Sequence, residues 1–318
     1  MNKIIKTGRL FYCLGLAAIA FQQFFYGDLR PVFLPASWPS WIHGFSIWGY
    51  LSGAAIIVAC AFILLGKRSK IISLYLGGFF LLLFLVFHAP FLLFVNQNLP
   101  YHLGLWTDPL KELALSGGAF LVAGSFPKTK PNGEKGTFII RLLEKLIPLG
   151  TLFFCTTMIS FGIDHFFYTD FVATLVPAWF PDHTFWAYFG GVALIGSGVA
   201  IVLNIRRKTI ATLLAVMLFI WFIILHIPRA VADPFGSQGN EVTSVFEALA
   251  FSGIALLIAG IATMGKKPAA SWTELATGVA LLLRGTTGHC PINAAIGRNT
   301  ATTEIAKNAE KNFDALAG

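Results

Sequence analysis

Two stretches of this chain repeat one arrangement of chemically competent residues. "VFHAPF" at 86–91 and "ILHIPR" at 224–229 each set a histidine two positions before a proline inside a long apolar run. An imidazole changes charge near neutral pH, which suits it to general acid–base work. The proline has no N–H to give to a helix ladder, so the carbonyls of Val86 and Ile224 are expected to accept from a side chain, water or ligand. Acids, tyrosines and one arginine stand close by in the sequence pattern: Tyr26 and Asp28, Tyr168 and Asp170, Glu112, Glu247 and Arg229. His88, His226, Asp28 and Asp170 are therefore the candidate catalytic residues. Tyr26, Tyr168, Glu112, Glu247 and Arg229 are the candidate ligand-binding residues.

The elements that must carry these groups are membrane helices. Hydrophobic residues make up 56% of the 318 and charged residues only 12%, which places the chain among polytopic membrane proteins. Eight apolar segments of spanning length lie near 10–26, 45–65, 71–95, 110–126, 146–164, 185–204, 209–228 and 244–264. With the N-terminus inside, 20 of the 23 basic residues fall on one side, and only Arg30, Lys111 and Arg229 fall opposite. That bias predicts both termini on the cytoplasmic side. The net charge of +8 is then a topology signal and not a sign of nucleic-acid binding. On this orientation His88 and His226 sit in the outer third of their helices.

The chain also repeats itself. "FFYGD" at 24–28 matches "FFYTD" at 166–170, an offset of 142 that also pairs Cys13 with Cys155, Pro35 with Pro177 and Pro39 with Pro181. After a four-residue shortening, Trp48 pairs with Trp186, Gly53 with Gly191, Arg68 with Arg206, His88 with His226 and Pro90 with Pro228. Two residues further shortened, "ALSGGAFLVAG" at 114–124 matches "AFSGIALLIAG" at 250–260. The expected fold is all-α, an eight-helix membrane bundle of two parallel four-helix repeats related by an axis along the membrane normal. Residues 8–127 form the first repeat, 128–145 a cytoplasmic linker, 146–265 the second repeat, and 266–318 a cytoplasmic or interfacial tail. The "AIA" at 18–20 resembles a signal-peptidase site, but cleavage there would destroy a helix whose partner at 146–164 is intact.

A four-helix unit with a short basic loop after its second helix and a small-residue fourth helix resembles the DoxX family of bacterial membrane proteins. The resemblance implies a plasma-membrane protein, in some members a subunit of a thiosulfate:quinone oxidoreductase, and it carries over no catalytic residue. A second stretch, "LLRGTTGHCPINAAIGRNT" at 282–300, is similar to the end of a small inner-membrane domain found beside rhodaneses. There the usual two-helix hairpin is missing, and "HCP" at 289–291 reads as a turn, leaving Cys290 without a second thiol nearby. No C-x-x-C pair occurs, so Cys13, Cys60 and Cys155 read as small buried residues.

Each repeat is expected to offer an outward-facing pocket lined by His, Asp and Tyr. Its chemistry would suit a quinone or quinol, in an accessory subunit of membrane redox chemistry with a redox partner subunit as well as the bilayer. Nothing in the sequence establishes that the chain is an enzyme. The same residues would also serve by hydrogen-bonding to one another and pinning loops to helices. His88 and His226 as axial ligands of one b-type haem would need matched surroundings, and "FLLFVN" after Pro90 differs from "RAVADP" after Pro228. Zinc lacks a short-spaced ligand pair, and no metal site is expected. A small-molecule transporter would want charges along the cytoplasmic halves, which hold almost none, while a scaffold would use the small-residue runs as packing faces.

Overall fold

The computed structural model describes residues 3–36, 38–42, 45–95, 103–126 and 137–264. The tail 266–318, with Cys290 and the "RGTTGHCP" segment, and residues 128–136 of the expected 128–145 linker lie outside the described residues. The described residues are mostly helical, with no strand among them.

Eleven α-helices follow in chain order: α1 (Lys3–Tyr26), α2 (Ser46–Leu64), α3 (Ser69–Leu83), α4 (Thr107–Gly124), α5 (Phe138–Leu146), α6 (Leu149–Phe167), α7 (Thr169–Leu175), α8 (His183–Val202), α9 (Arg207–Trp221), α10 (Ile227–Ala232) and α11 (Asn240–Ile261). Among the described residues, seven helical stretches are long and apolar enough to cross a membrane: α1, α2, α3 with its continuation to Val95, α6, α8, α9 with α10, and α11 with the turn before it. The eighth expected span, α4, is not among them, and it carries Asp108, Lys111 and Glu112 in its first two turns. Yet α4 is buried almost without interruption from Pro109 to Ala123. A helix shielded by other helices tolerates charges that lipid would not.

The centre of the bundle is α4 against α11. On α4 pack α3 and α6; on α11 pack α9 and α1; α1 also packs on α2, and α6 on α8. Small residues allow the closest crossings. A Cβ on Gly8 would stand 2.9 Å from the Gly253 carbonyl oxygen, and one on Gly150 would stand 2.6 Å from that of Gly117. Buried hydroxyls cross-link neighbouring helices: Ser116 donates to the Gly77 carbonyl at 2.8 Å, and Ser252 to the Ala215 carbonyl at 2.9 Å. In contrast α2, α3 and α8 turn many large apolar side chains outward, Leu51, Leu82 and Val192 among them, as a lipid-facing ring requires.

The prolines act on the local helix as their chemistry dictates, though not by leaving a simple gap. Helix α3 runs into a π-helical turn at Phe84–His88 and α9 into another at Phe222–His226. The N–H groups of Ala89 and Ile227 reach back five residues, to the carbonyls of Phe84 and Phe222. The wider turn shifts the helix register at each histidine and re-aims its ring. Two short helices were not expected from the sequence. One is α5, in what reads as linker: Thr137 caps it by accepting from the Ile140 N–H, and Lys70 of α3 pairs with Glu144 at 2.5 Å. The other, α7, follows α6 after a break at Tyr168.

Candidate functional site

A cavity of about 450 Å³ opens within the second half of the chain. Helix α6 supplies Phe161 and His165; α7 and the residues after it supply Phe171, Leu175 and Phe180; α8 supplies Trp186 and Phe189. The π turn after α9 brings Trp221 and His226, and α11 brings Glu247 and Phe251, while α4 contributes Thr107 and Lys111. Seven of these side chains are aromatic, so the lining favours a flat, apolar guest. The size falls in the range of small-molecule sites.

Its polar groups are few and mostly paired. Lys111 Nζ lies 3.0 Å from Glu247 Oε2 and 3.2 Å from Asp108 Oδ1. At the rim, Arg229 grips Glu241 with two bonds, Nη2 to Oε1 at 2.5 Å and Nε to Oε2 at 3.0 Å. Each cation thus meets a carboxylate, and the wall presents little net charge. His165 Nδ1 is 2.7 Å from the Phe161 carbonyl oxygen. A carbonyl only accepts, so Nδ1 carries the ring proton and Nε2 is left as an acceptor. The ring stacks on Trp221 with centroids 6.2 Å apart. His226 Nδ1 and Glu247 Oε1 are buried and have no hydrogen-bond partner.

The first half arranges its counterparts differently. His88 and Glu112 are 2% and 0% exposed, with Nε2 and Oε2 3.5 Å apart. Arg30, 1% exposed, reaches out of the segment after α1 and donates through Nη2 to the Gln238 carbonyl at 2.7 Å and to Thr243 Oγ1 at 3.0 Å. Thr243 in turn donates to Gln22 Oε1 at 2.7 Å. The guanidinium lies over the Tyr26 ring, 4.7 Å from its centroid. Burial pulls the Arg30 guanidinium below its ordinary pKa, while Tyr26, Glu247, Asp108 and Asp28 act in the opposite direction. Val32, Phe33 and Leu34 are fully buried beside it, Phe33 stacking on Phe80 at 5.4 Å. Of the pockets expected in the two halves, the second meets a cavity, while in the first the residues described around Arg30 and Phe33 are buried.

The candidates from the sequence divide accordingly. His226, Arg229 and Glu247 line the cavity. His88 and Glu112 face each other in the packed half, and Tyr26 supports Arg30. Asp28 accepts the Leu29 N–H at 2.7 Å in a local turn. Asp170 lies exposed in the first turn of α7, and Tyr168 accepts the Gly104 N–H at 3.3 Å; neither lines the cavity. Sequence reasoning passed over Lys111, His165 and Arg30. Of these, only Lys111 and Arg30 left a signal, as cations on the acid-rich side of the charge bias. It also treated Cys13 and Cys60 as unrelated, whereas their thiols hydrogen-bond between α1 and α2. Among the described residues no three His, Cys, Asp or Glu side chains gather to hold a metal. His88 and His226 stand on helices that meet only through α4 and α11, and each faces partners of its own.

Two families match parts of the chain. Residues 154–262, from α6 to the end of α11, match a domain of unknown function, DUF8561. Residues 248–304 match the family described as inner membrane protein YgaP-like, transmembrane domain. This second match takes in the C-terminal part of α11 as well as "RGTTGHCP". Each match covers less than half of the chain. No curated protein and no solved structure matches it.

Proposed function

We propose that this polytopic membrane protein binds a ligand of the quinone class in the second-half cavity, as an accessory subunit of membrane redox chemistry. One observation carries the reading. The cavity joins an aromatic wall to the side chains of His165, His226 and Glu247, with His165 Nε2 left as an acceptor. A flat ring fits between Trp and Phe faces, and its carbonyl or hydroxyl oxygens suit groups that donate or accept. A neutral head suits a wall whose cations are already paired. A neutral imidazole held at this position can take the proton of a quinol hydroxyl or return it.

The wider frame is an inner-membrane, DoxX-like bundle of eight spans in two tandem units. Support for the duplication comes from packing that repeats at the sequence offsets. Gly8 on Gly253 corresponds to Gly150 on Gly117, and Ser116 to Gly77 corresponds to Ser252 to Ala215. Arg68 and Arg206, both with positive φ, open α3 and α9 alike. Support for the inner membrane comes from the match at 248–304. The charge bias supports cytoplasmic termini. On that orientation, cysteines placed near Asp108 or Asp233 react with an impermeant reagent from outside and those near Arg207 do not; the reverse pattern would overturn it.

Lipid extracts of the purified protein are expected to contain quinone, and a short-tailed quinone analogue should quench tryptophan fluorescence saturably. His226→Gln should weaken that binding about tenfold, the loss of roughly one hydrogen bond, with unchanged abundance in the membrane. No quinone in the extracts together with no saturable quenching would sink the reading.

A further inference from the structure

We propose that His88 and Glu112 form a proton-holding site in the packed half, with the proton on Glu112 and donated to the neutral ring of His88. The pair lies outside the cavity and stands whether or not a quinone binds there.

Both partners are buried to the same degree and each is short of a hydrogen bond. His88 is 2% exposed and its Nε2 has no conventional hydrogen-bond partner; Glu112 is fully buried and the same holds for both of its oxygens. The two face each other, Nε2 to Oε2 at 3.5 Å. His88 also hydrogen-bonds to the backbone of Val32. With Nε2 unused, that bond belongs to Nδ1, so Nε2 is the nitrogen left to face Glu112. The π turn at Phe84–His88 holds the ring in this direction.

The proton is assigned to Glu112 by what surrounds it. A carboxylate inside a membrane protein needs a cation or several donors, and among the described residues neither oxygen of Glu112 has a hydrogen-bond partner. Lys111, the preceding residue on α4, turns to Glu247 and Asp108. Arg30 gives its Nη2 to Gln238 and Thr243. Ser116, one turn further along α4, donates to the Gly77 carbonyl. Asp108, one turn earlier, is itself an acid. Glu112 therefore satisfies its environment as a carboxylic acid, its O–H donated to His88 Nε2. Transfer across the pair breaks that O–H bond and forms an N–H bond, leaving carboxylate and imidazolium with the total charge unchanged. Glu247 is the contrast within the same bundle: with Lys111 at 3.0 Å it has the cation that Glu112 lacks.

Infrared spectra of the full chain in lipid vesicles at neutral pH test this. The wild type should show the C=O stretch of a protonated, buried carboxyl, moving to lower frequency in deuterated buffer. Glu112→Gln should remove that band, and Glu247→Gln should leave it in place. His88→Gln changes the acceptor while keeping Glu112, so the band should persist at a shifted frequency; this variant decides the matter if Glu112→Gln does not accumulate. A wild-type spectrum without the band, a Glu112→Gln spectrum that loses only carboxylate intensity, or a His88→Gln band that does not move would each overturn the proposal.

Discussion

The segments after α1 and after α6 begin from nearly the same residues, "FFYGD" and "FFYTD", and end differently: the described residues Arg30–Leu34 are buried in a core, and their counterparts border a cavity. Three positions account for much of the difference. Where the first half has Arg30, Phe33 and Phe80, the second, at the offsets that pair the two sequences, has Val172, Leu175 and Leu218. The larger set is buried, with Phe33 stacked on Phe80; the smaller set lines the cavity. The comparison shows that one helical frame holds either a sealed core or a binding site, and that side-chain volume at a few positions decides which. It also shows what the hollow half needs in return. Void space forfeits dispersion contacts, and the cavity wall is braced by two ion pairs, Lys111 with Glu247 and Arg229 with Glu241.

The largest effect should follow from removing that brace. Lys111→Met strips the buried Glu247 of its ion-pair partner, and truncating one partner of a buried pair costs about 3–5 kcal/mol. The thermal midpoint in detergent should fall sharply, and much of the loss should return in Lys111→Met with Glu247→Leu, because the double change removes the stranded charge. A Lys111→Met protein as stable as wild type would mean that water already solvates Glu247, and the contrast between a dry half and a braced half would fail.

How much of this was legible beforehand depends on the physics of each feature. The apolar segments and the charge bias announce themselves because lipid penalises every exposed polar group. Pro90 and Pro228 marked a local disturbance of the helix at His88 and His226, and the structure has a π turn at each. Whether a half is filled was not legible, since it depends on where Arg30 points after a non-helical segment. It points inward, to Gln238 and Thr243, more than two hundred residues away in sequence. His165 escaped for a related reason: at its matched position the first half has Gln23, so the repeat gave no hint of a paired histidine. Helix α5 was hidden by its basic residues, Arg141 and Lys145, which read equally well as a cytoplasmic loop.

Exchanging side chains between the halves sharpens the comparison at lower cost. Phe80→Leu opens a void beside Phe33 and should destabilise by about 1 kcal/mol or more. Leu218→Phe, the reverse change at the matched position, enters space that is already there. It should cost less than the ~1–3 kcal/mol of overpacking a filled core, and it should weaken quinone-analogue binding. Equal penalties for the two would show that the cavity wall is as tightly packed as the first-half core.

The smallest effect is expected at α5, the short helix that precedes α6 and packs on α3. It is held to α3 by Leu143 resting against Gly78 and by the Lys70–Glu144 pair, whose side chains are 20% and 39% exposed. Exposed pairs contribute about 0.2–1 kcal/mol, and at this exposure the lower part of that range applies. Lys70→Ala should therefore leave the thermal midpoint nearly unchanged while speeding amide hydrogen exchange along α5 alone, since local opening needs only the local contacts to break. A drop as large as that of Phe80→Leu would instead make α5 part of the packed half, and the boundary between filled and hollow regions would have to be drawn after α5 and not before it.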